Sequence, residues 1–552
     1  MRSAQIALIA LCVLVCFVGS AVPSPAQTTK TATVVNYDFT ITLPQTGSVI
    51  RGCAVLAAVR TKEADNLSLD FMDLKVDSVH LGGRPVDYRQ QSSSLTLALG
   101  KASATSPDTV LVSVWYGGEV KDGLIIHTDQ QGRWAAFGDN WPDRARRWLP
   151  IIDRPDAKAT VSWNVIAPAD RNVVANGQLV ERTSFPPDSR NPAIPRALTR
   201  WKSSRPIPPY LMVIAAGPLL QVDLGLTAPG LSEFPPGVRQ SVYAAPELAD
   251  YLPGPFTVAG AIVTFFSTLV APFPYEKLAH VQSYTRFGGM ENAGAIFYAD
   301  GVFTGRSVST GLIAHETAHQ WFGDAVTPGS WGHLWLSEGF ASYFEKLWVE
   351  KSQGVGAFRA GMQQLRREII QSDVTFSRPV IDTLQTNLIR LLNTNSYQKG
   401  AWTLHMLRSM LGDTVFFRGV REYYRQHRHS SATTDDLCGA FERVSMKSLR
   451  WFFDQWLRRP GIPEVSANWS FSRRIGSLKL EVSQSEKALP YAFPLSVEIA
   501  ISQQRSYVFV VDIPARRNST VHIPIPPNME PIRVVLDPGV ELLASIKYTL
   551  RQ

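Results

Sequence analysis

His315-Glu316-Thr317-Ala318-His319 and, further on, Trp335-Leu336-Ser337-Glu338-Gly339-Phe340-Ala341 decide how this chain is read. Positions four apart share one face of an α-helix, so His315 and His319 present two imidazoles one turn apart, close enough to share a tetrahedral zinc. Glu316 stands beside them, placed to handle the proton of an attacking water rather than to bind metal. Glu338 comes nineteen residues after His319, at the start of a second apolar-periodic helix. Packed against the first helix, it offers its carboxylate as a third ligand and leaves a fourth position for water. Glu345 lies two turns further along the same face, where it can accept the free N–H of a ligand histidine and fix its tautomer. A solvated surface position is the other reading of Glu345, and Asp324 is a further candidate for that role.

Outward from this centre, the chain changes character twice. From Val34 to about Tyr243 it consists of short alternating runs, such as Leu67-Ser-Leu-Asp-Phe-Met and Val110-Leu-Val-Ser-Val-Trp-Tyr, broken by Gly, Pro, Asp and Asn. That is the pattern of antiparallel β structure. Near Tyr251 the period becomes helical: Phe256, Ile262, Val263, Phe265, Phe266, Leu269 and Val270 suit a buried helix stopped by Pro272-Phe-Pro274. Segments 360–370 and 401–411 are amphipathic, and Thr433-Thr434-Asp435-Asp436 caps a helix over 437–444. After Arg459-Pro460-Gly461-Ile462-Pro463 the β pattern returns, clearest in Leu478-Lys-Leu-Glu-Val and Tyr507-Val-Phe-Val-Val-Asp. The expected organisation is a leader at 1–26, an N-terminal β domain at 27–245, a catalytic domain at 246–460 and a small β sandwich at 461–552.

The leader is read from Met1-Arg2, the apolar run from Ile6 to Val18 and the small residues up to Ala26, the plan of a secretory signal cleaved after Ala26 or Ala21. Export to a periplasmic or extracellular space is expected, with uncleaved anchoring as the alternative. Of four cysteines, Cys12 and Cys16 leave with the signal. Cys53 and Cys438 are read as separate thiols, with a pairing left open. With 55 basic against 47 acidic residues in 552, the net charge of +8 is a modest excess without a dense basic block, and nucleic acid is excluded as an expected partner. No obligate protein partner is evident.

With Gly288-Gly289-Met290-Glu291-Asn292 upstream and Tyr397-Gln398-Lys399-Gly400-Ala401 downstream, the zinc motif resembles that of the gluzincin aminopeptidases, the family of aminopeptidase N and leukotriene hydrolase. Further likeness runs through Ala145-Arg146 to Lys158-Ala159-Thr160, through Pro274-Tyr275-Glu276-Lys277-Leu278, and from Trp451 to Pro463. The resemblance implies a multidomain α+β fold: an N-terminal antiparallel β saddle, a thermolysin-like, mainly helical catalytic domain and a C-terminal β sandwich. It also implies one zinc per chain on His315, His319 and Glu338, and peptide substrates with a free amino terminus. Glu316 is then the general base, Tyr397 the oxyanion donor and Glu291 the anchor of the α-ammonium, with Gly288, Gly289, Met290 and Asn292 around the substrate. Phe287 and the glycines beside it point to an apolar wall for the first side chain. One departure stands out. Relatives carry Gln or Glu shortly before the Ala145-Arg146 segment as a second amine anchor, whereas this chain reads Phe137-Gly138-Asp139-Asn140-Trp141-Pro142. Asp139 takes that role, or Trp141 reshapes the subsite. The competing functions are a thermolysin-like endopeptidase, an epoxide hydrolase as in the bifunctional branch of the family, and an inactive receptor or scaffold on the same fold.

Overall fold

The computed structural model describes residues 32–548 apart from 61–63, 101–107, 186–194, 487 and 527–528; the leader lies outside the described residues. The first β body is built on long alternating strands. In Val49–Arg60 every second side chain is buried, as expected when one face covers a core and the other faces solvent. Eight strands form its main sheet, with Thr33–Thr42 at the centre. That strand pairs antiparallel with Val49–Arg60 but parallel with Thr160–Pro168, so the sheet is mixed and not purely antiparallel as the alternation predicts. Alternation fixes which face is buried and carries no information on strand direction. Beneath the sheet, Phe39, Trp163 and Trp148 stack at centroid distances of 5.1 and 5.8 Å.

A five-stranded sheet runs Leu220–Thr227, Val238–Ala244, Lys277–Ser283, Ala295–Ala299, Gly289–Met290. It crosses the expected 245/246 boundary. Val238–Ala244 pairs in parallel with Lys277–Ser283 from Arg239↔Lys277 to Tyr243↔Val281, and this ladder fixes residues 220–244 to the catalytic body. The β pattern of 220–244 is real, but its partners are helix-flanked strands further along the chain.

Helix Ala259–Leu269 covers this sheet and packs Phe266 edge-on against Trp321 and Phe344. Helix Thr310–His319 starts at Ser309, whose Oγ accepts from the Leu312 N–H at 3.1 Å and satisfies one of the free donors of the first turn. The next long helix, Trp335–Gln353, is buried from Trp335 through Phe344. Such a helix belongs in a core and not on a surface. Its Leu336, Phe340 and Phe344 each contribute ~1.5–3 kcal/mol by burial alone. Thr433 and Asp436 form the expected capping box of helix Thr434–Ser445.

Helix Arg450–Leu457 ends just before the linker, and strand Glu464–Ser472 starts just after it. The C-terminal body packs a four-stranded sheet over a three-stranded one. Cys53 and Cys438 are both free thiols. No described helix is long and apolar enough to cross a membrane.

Candidate active site

Helices 310–319 and 335–353 lie side by side, and their facing side chains converge. Nε2 of His315 and Nε2 of His319 are 3.2 Å apart, and Glu338 Oε2 lies 3.5 and 3.4 Å from them. The three donor atoms fall within 4.8 Å of one another. Around His319, Nδ1 meets the Phe322 carbonyl at 3.1 Å and the Ser337 hydroxyl at 3.0 Å. A carbonyl only accepts, so Nδ1 carries the hydrogen and the Nε2 lone pair is left for the centre. Glu345 Oε2 faces His315 Nδ1 at 3.8 Å, beyond hydrogen-bond length, and its charge favours a hydrogen on that nitrogen. Two imidazole nitrogens, one carboxylate oxygen and oriented tautomers suit zinc with an open fourth position.

The electrostatics of the pocket also favour a cation. Burial works against charge on His315, yet Glu338, Glu345 and Glu316 outweigh it and push its pKa up to about 10. Glu338 is held low despite burial by the two histidines beside it. Glu316 behaves in the opposite way. Burial, helped by Glu291 and Glu338, raises it to about 7 against the pull of both histidines. Burial also raises Glu291, only 6% exposed, with Glu338 adding to the shift. One oxygen of Glu291, one of Glu316 and one nitrogen of His319 lie within 4.8 Å of one another, so carboxylates crowd the wall next to the candidate metal ligands.

Glu291 reaches that wall from an edge strand. Gly289–Met290 pairs antiparallel with Ala295–Ala299, and Gln320, on the turn after the histidine helix, donates through Nε2 to the Glu291 carbonyl at 2.9 Å. Gly289 is required by contact: a Cβ there would sit 2.1 Å from Glu316 Oε1. Tyr397 closes the opposite side, its ring stacked over His315 with centroids 6.1 Å apart. Burial and the neighbouring carboxylates Glu338, Glu291 and Glu316 raise its pKa well above the usual phenol value, so the hydroxyl remains a donor. These groups line a cavity of about 630 Å³, with Gly288, Gly289 and Met290 on one wall and Trp141, Phe287, Leu312 and Leu392 supplying apolar surface.

Three candidate residues lie outside the cavity lining. Asp139 does not line the cavity; its side chain is wholly buried, with Oδ2 2.9 Å from the Arg144 guanidinium and 3.7 Å from that of Arg286. A carboxylate neutralised in this way is not free to take a substrate ammonium. Trp141 lines the wall instead, fixed edge-on between Phe287 at 5.6 Å and Trp331 at 5.5 Å. Asn292 is also absent from the lining. It is fully buried in the turn whose carbonyl accepts from Ala295 N–H at 2.8 Å, with both side-chain polar atoms unpartnered. Asp324 is buried behind the site and makes no side-chain contact with a ligand histidine, so Glu345 is the carboxylate that orients His315. Sequence reasoning missed Ser337 and Arg286. The signal for Ser337 was a small polar residue immediately before the third ligand, whereas Arg286 gave none.

The Peptidase family M1 domain matches residues 257–456, and the Peptidase M1 N-terminal domain matches residues 34–211. Glutamyl aminopeptidase of Rattus norvegicus is 24% identical over 507 residues, covering 84% of this chain and 51% of the relative. Aminopeptidase N of Streptomyces lividans is 28% identical over 459 residues, covering 78% and 51%. The chain thus spans about half the length of the curated relatives it matches. Among solved structures, the M1 zinc metallopeptidase from Deinococcus radiodurans superposes with a TM-score of 0.67 at 23% identity, over 78% of this chain and 94% of that one. That likeness shows the fold.

Proposed function

The chain belongs to the M1 peptidase family, and from that premise we propose that it is a zinc-dependent aminopeptidase, removing the first residue from peptides with a free α-amine. The observation that carries this reading is Glu291, a buried carboxylate just past the edge strand beside the ligand helix, with a carboxylate oxygen within 4.8 Å of ligand atoms of Glu316 and His319. A carboxylate fixed one residue's length from the metal ligands binds a substrate ammonium and sets the register of cleavage at the first bond. An endopeptidase has no use for such a group.

One zinc on His315, His319 and Glu338 supplies Lewis-acid chemistry when bound, polarising a carbonyl and acidifying a water. Glu316 takes the proton of the attacking water and returns it to the leaving amine; burial keeps its basicity near neutral pH, where such a group works best. Tyr397 donates its O–H to the oxyanion that develops on the scissile carbonyl. Glu345 and Ser337 hold the two imidazoles in orientation. Trp141, Phe287 and Met290 give the first side chain an apolar surface. The leader at 1–26 supports export to a periplasmic or extracellular space.

The test is a set of peptides and aminoacyl anilides with and without amino-terminal acetylation, with and without a chelator. Free-amine substrates lose one residue at a time, and metal analysis gives about one zinc per chain. Internal cleavage of acetylated peptides at comparable rates would overturn the aminopeptidase reading, and full hydrolysis by metal-free protein would overturn the zinc.

A further inference from the structure

Tyr397 does not sit on regular helix. It lies in a π turn, Asn395–Lys399, that runs into helix Gly400–Leu411. Such wide turns are held by contacts from outside, and they concentrate at functional sites. Two of the contacts are within the catalytic body: Asn395 Nδ2 donates to the carbonyls of Val374 at 3.1 Å and Arg378 at 2.9 Å, and Ser396 Oγ to that of Leu391 at 2.7 Å. The third is not. Lys399, with 0% of its surface exposed, donates through Nζ to the Gly461 carbonyl at 2.9 Å and the Arg459 carbonyl at 3.5 Å.

Among the described residues no carboxylate lies within 4.0 Å of that ammonium. Burial and the Arg459 guanidinium depress its pKa to about 7, and only carbonyl dipoles answer its charge. Residues 459–461 are the linker between the catalytic and C-terminal bodies, and the β sandwich clamps them. The Arg459 guanidinium lies 4.4 Å over the Tyr491 ring and donates to the Leu489 carbonyl at 2.8 Å, while the Tyr491 hydroxyl donates to the Pro460 carbonyl at 3.3 Å. From the catalytic side, the Thr375 carbonyl accepts from the Gly461 N–H at 2.6 Å.

We propose that Lys399 is a positioning residue for Tyr397, tying the turn that presents the phenol to the interdomain linker, so that docking of the C-terminal β domain sets the place of the oxyanion donor. The inference rests on the reading of Tyr397 given above. Oxyanion donors work only when placed to within a fraction of an ångström, whereas substrate binding at Glu291 and metal binding at the two helices do not pass through the linker.

The experiment is a double-mutant cycle on the full chain, with Lys399→Met and Tyr397→Phe alone and together, read as kcat and KM on a free-amine anilide, with hydrogen exchange of the 395–400 amides. In the presence of Tyr397, Lys399→Met lowers kcat on the order of tenfold to a hundredfold at unchanged KM. In the Tyr397→Phe background it costs less than about twofold, the non-additivity of residues that act as a unit. Exchange speeds up over 395–400 and stays unchanged over 310–319. Gly461→Ala applies the same test from the other side, because Gly461 has φ +88° and a side chain there displaces the carbonyl that Lys399 holds. It also serves where Lys399→Met does not fold. Equal losses in both backgrounds, an undiminished kcat or unchanged exchange overturn the proposal. If Tyr397→Phe itself keeps full kcat, the oxyanion reading of Tyr397 fails and this inference falls with it.

Discussion

Gly289→Ala adds one methyl group and tests the whole arrangement around the general base. The new Cβ would stand 2.1 Å from Oε1, 2.4 Å from Cδ and 2.7 Å from Cγ of Glu316. Non-bonded carbons settle ~3.5–4.0 Å apart, so the carboxylate must retreat by roughly 1 Å or more. The strand cannot yield in its place: Gly289 is paired with Tyr298, which is wholly buried with its hydroxyl 2.9 Å from His280 Nδ1. Misplacing a catalytic group by ~1 Å costs on the order of a hundredfold in rate, which is ~2.7 kcal/mol of activation free energy. The three atoms nearest that methyl all belong to Glu316, so the metal ligands are spared. The assay pairs kcat on a free-amine anilide with zinc content and a thermal melt of the same preparation. The expected result is a kcat lowered about a hundredfold at full zinc content. Undiminished kcat would show that Glu316 does not act from this position, and a parallel loss of zinc would show that it is a ligand.

Glu316→Gln should keep zinc and lose several orders of magnitude in kcat, whereas Glu338→Ala should lose the metal; metal analysis beside kinetics separates base from ligand, and equal zinc loss in both would reverse the assignment. Glu291→Ala should depress kcat/KM on free-amine substrates far more than on acetylated ones, and an equal effect on both would remove the amine anchor. The pH profile of kcat/KM should show an acid limb, because Glu316 must be ionised to accept a proton and burial raises it to about 7. The rate is therefore lost as pH falls, and a bound dication moves that limb lower. On the alkaline side the substrate α-amine loses its charge near pH ~8 and efficiency falls again. A rate flat from pH 4 to 7 would leave Glu316 without its role.

What depends on near neighbours along the chain is legible in one dimension. The i, i+4 spacing of His315 and His319 places two imidazoles on one face of any helix, and the Thr433–Asp436 box caps its helix through atoms three residues apart. Alternation in Val49–Arg60 sets its buried face for the same reason. Partners far along the chain become legible only in the folded molecule. Asp139 and Trp141 are two residues apart, yet Arg286 joins the nearby Arg144 beside the first while Phe287 and Trp331 fix the second in the wall. The same holds for strands 220–244, whose pattern is that of any half-buried strand until the parallel ladder to Lys277–Ser283 assigns them to the catalytic body. Lys399, two residues after the phenol in a legible motif, shows its role only once the chain returns at Gly461. Periodicity and capping are short-range and survive in the one-dimensional pattern. Charge neutralisation, sheet order and the seating of one domain on another depend on which distant surfaces exclude water together, and only the folded chain brings those surfaces into contact.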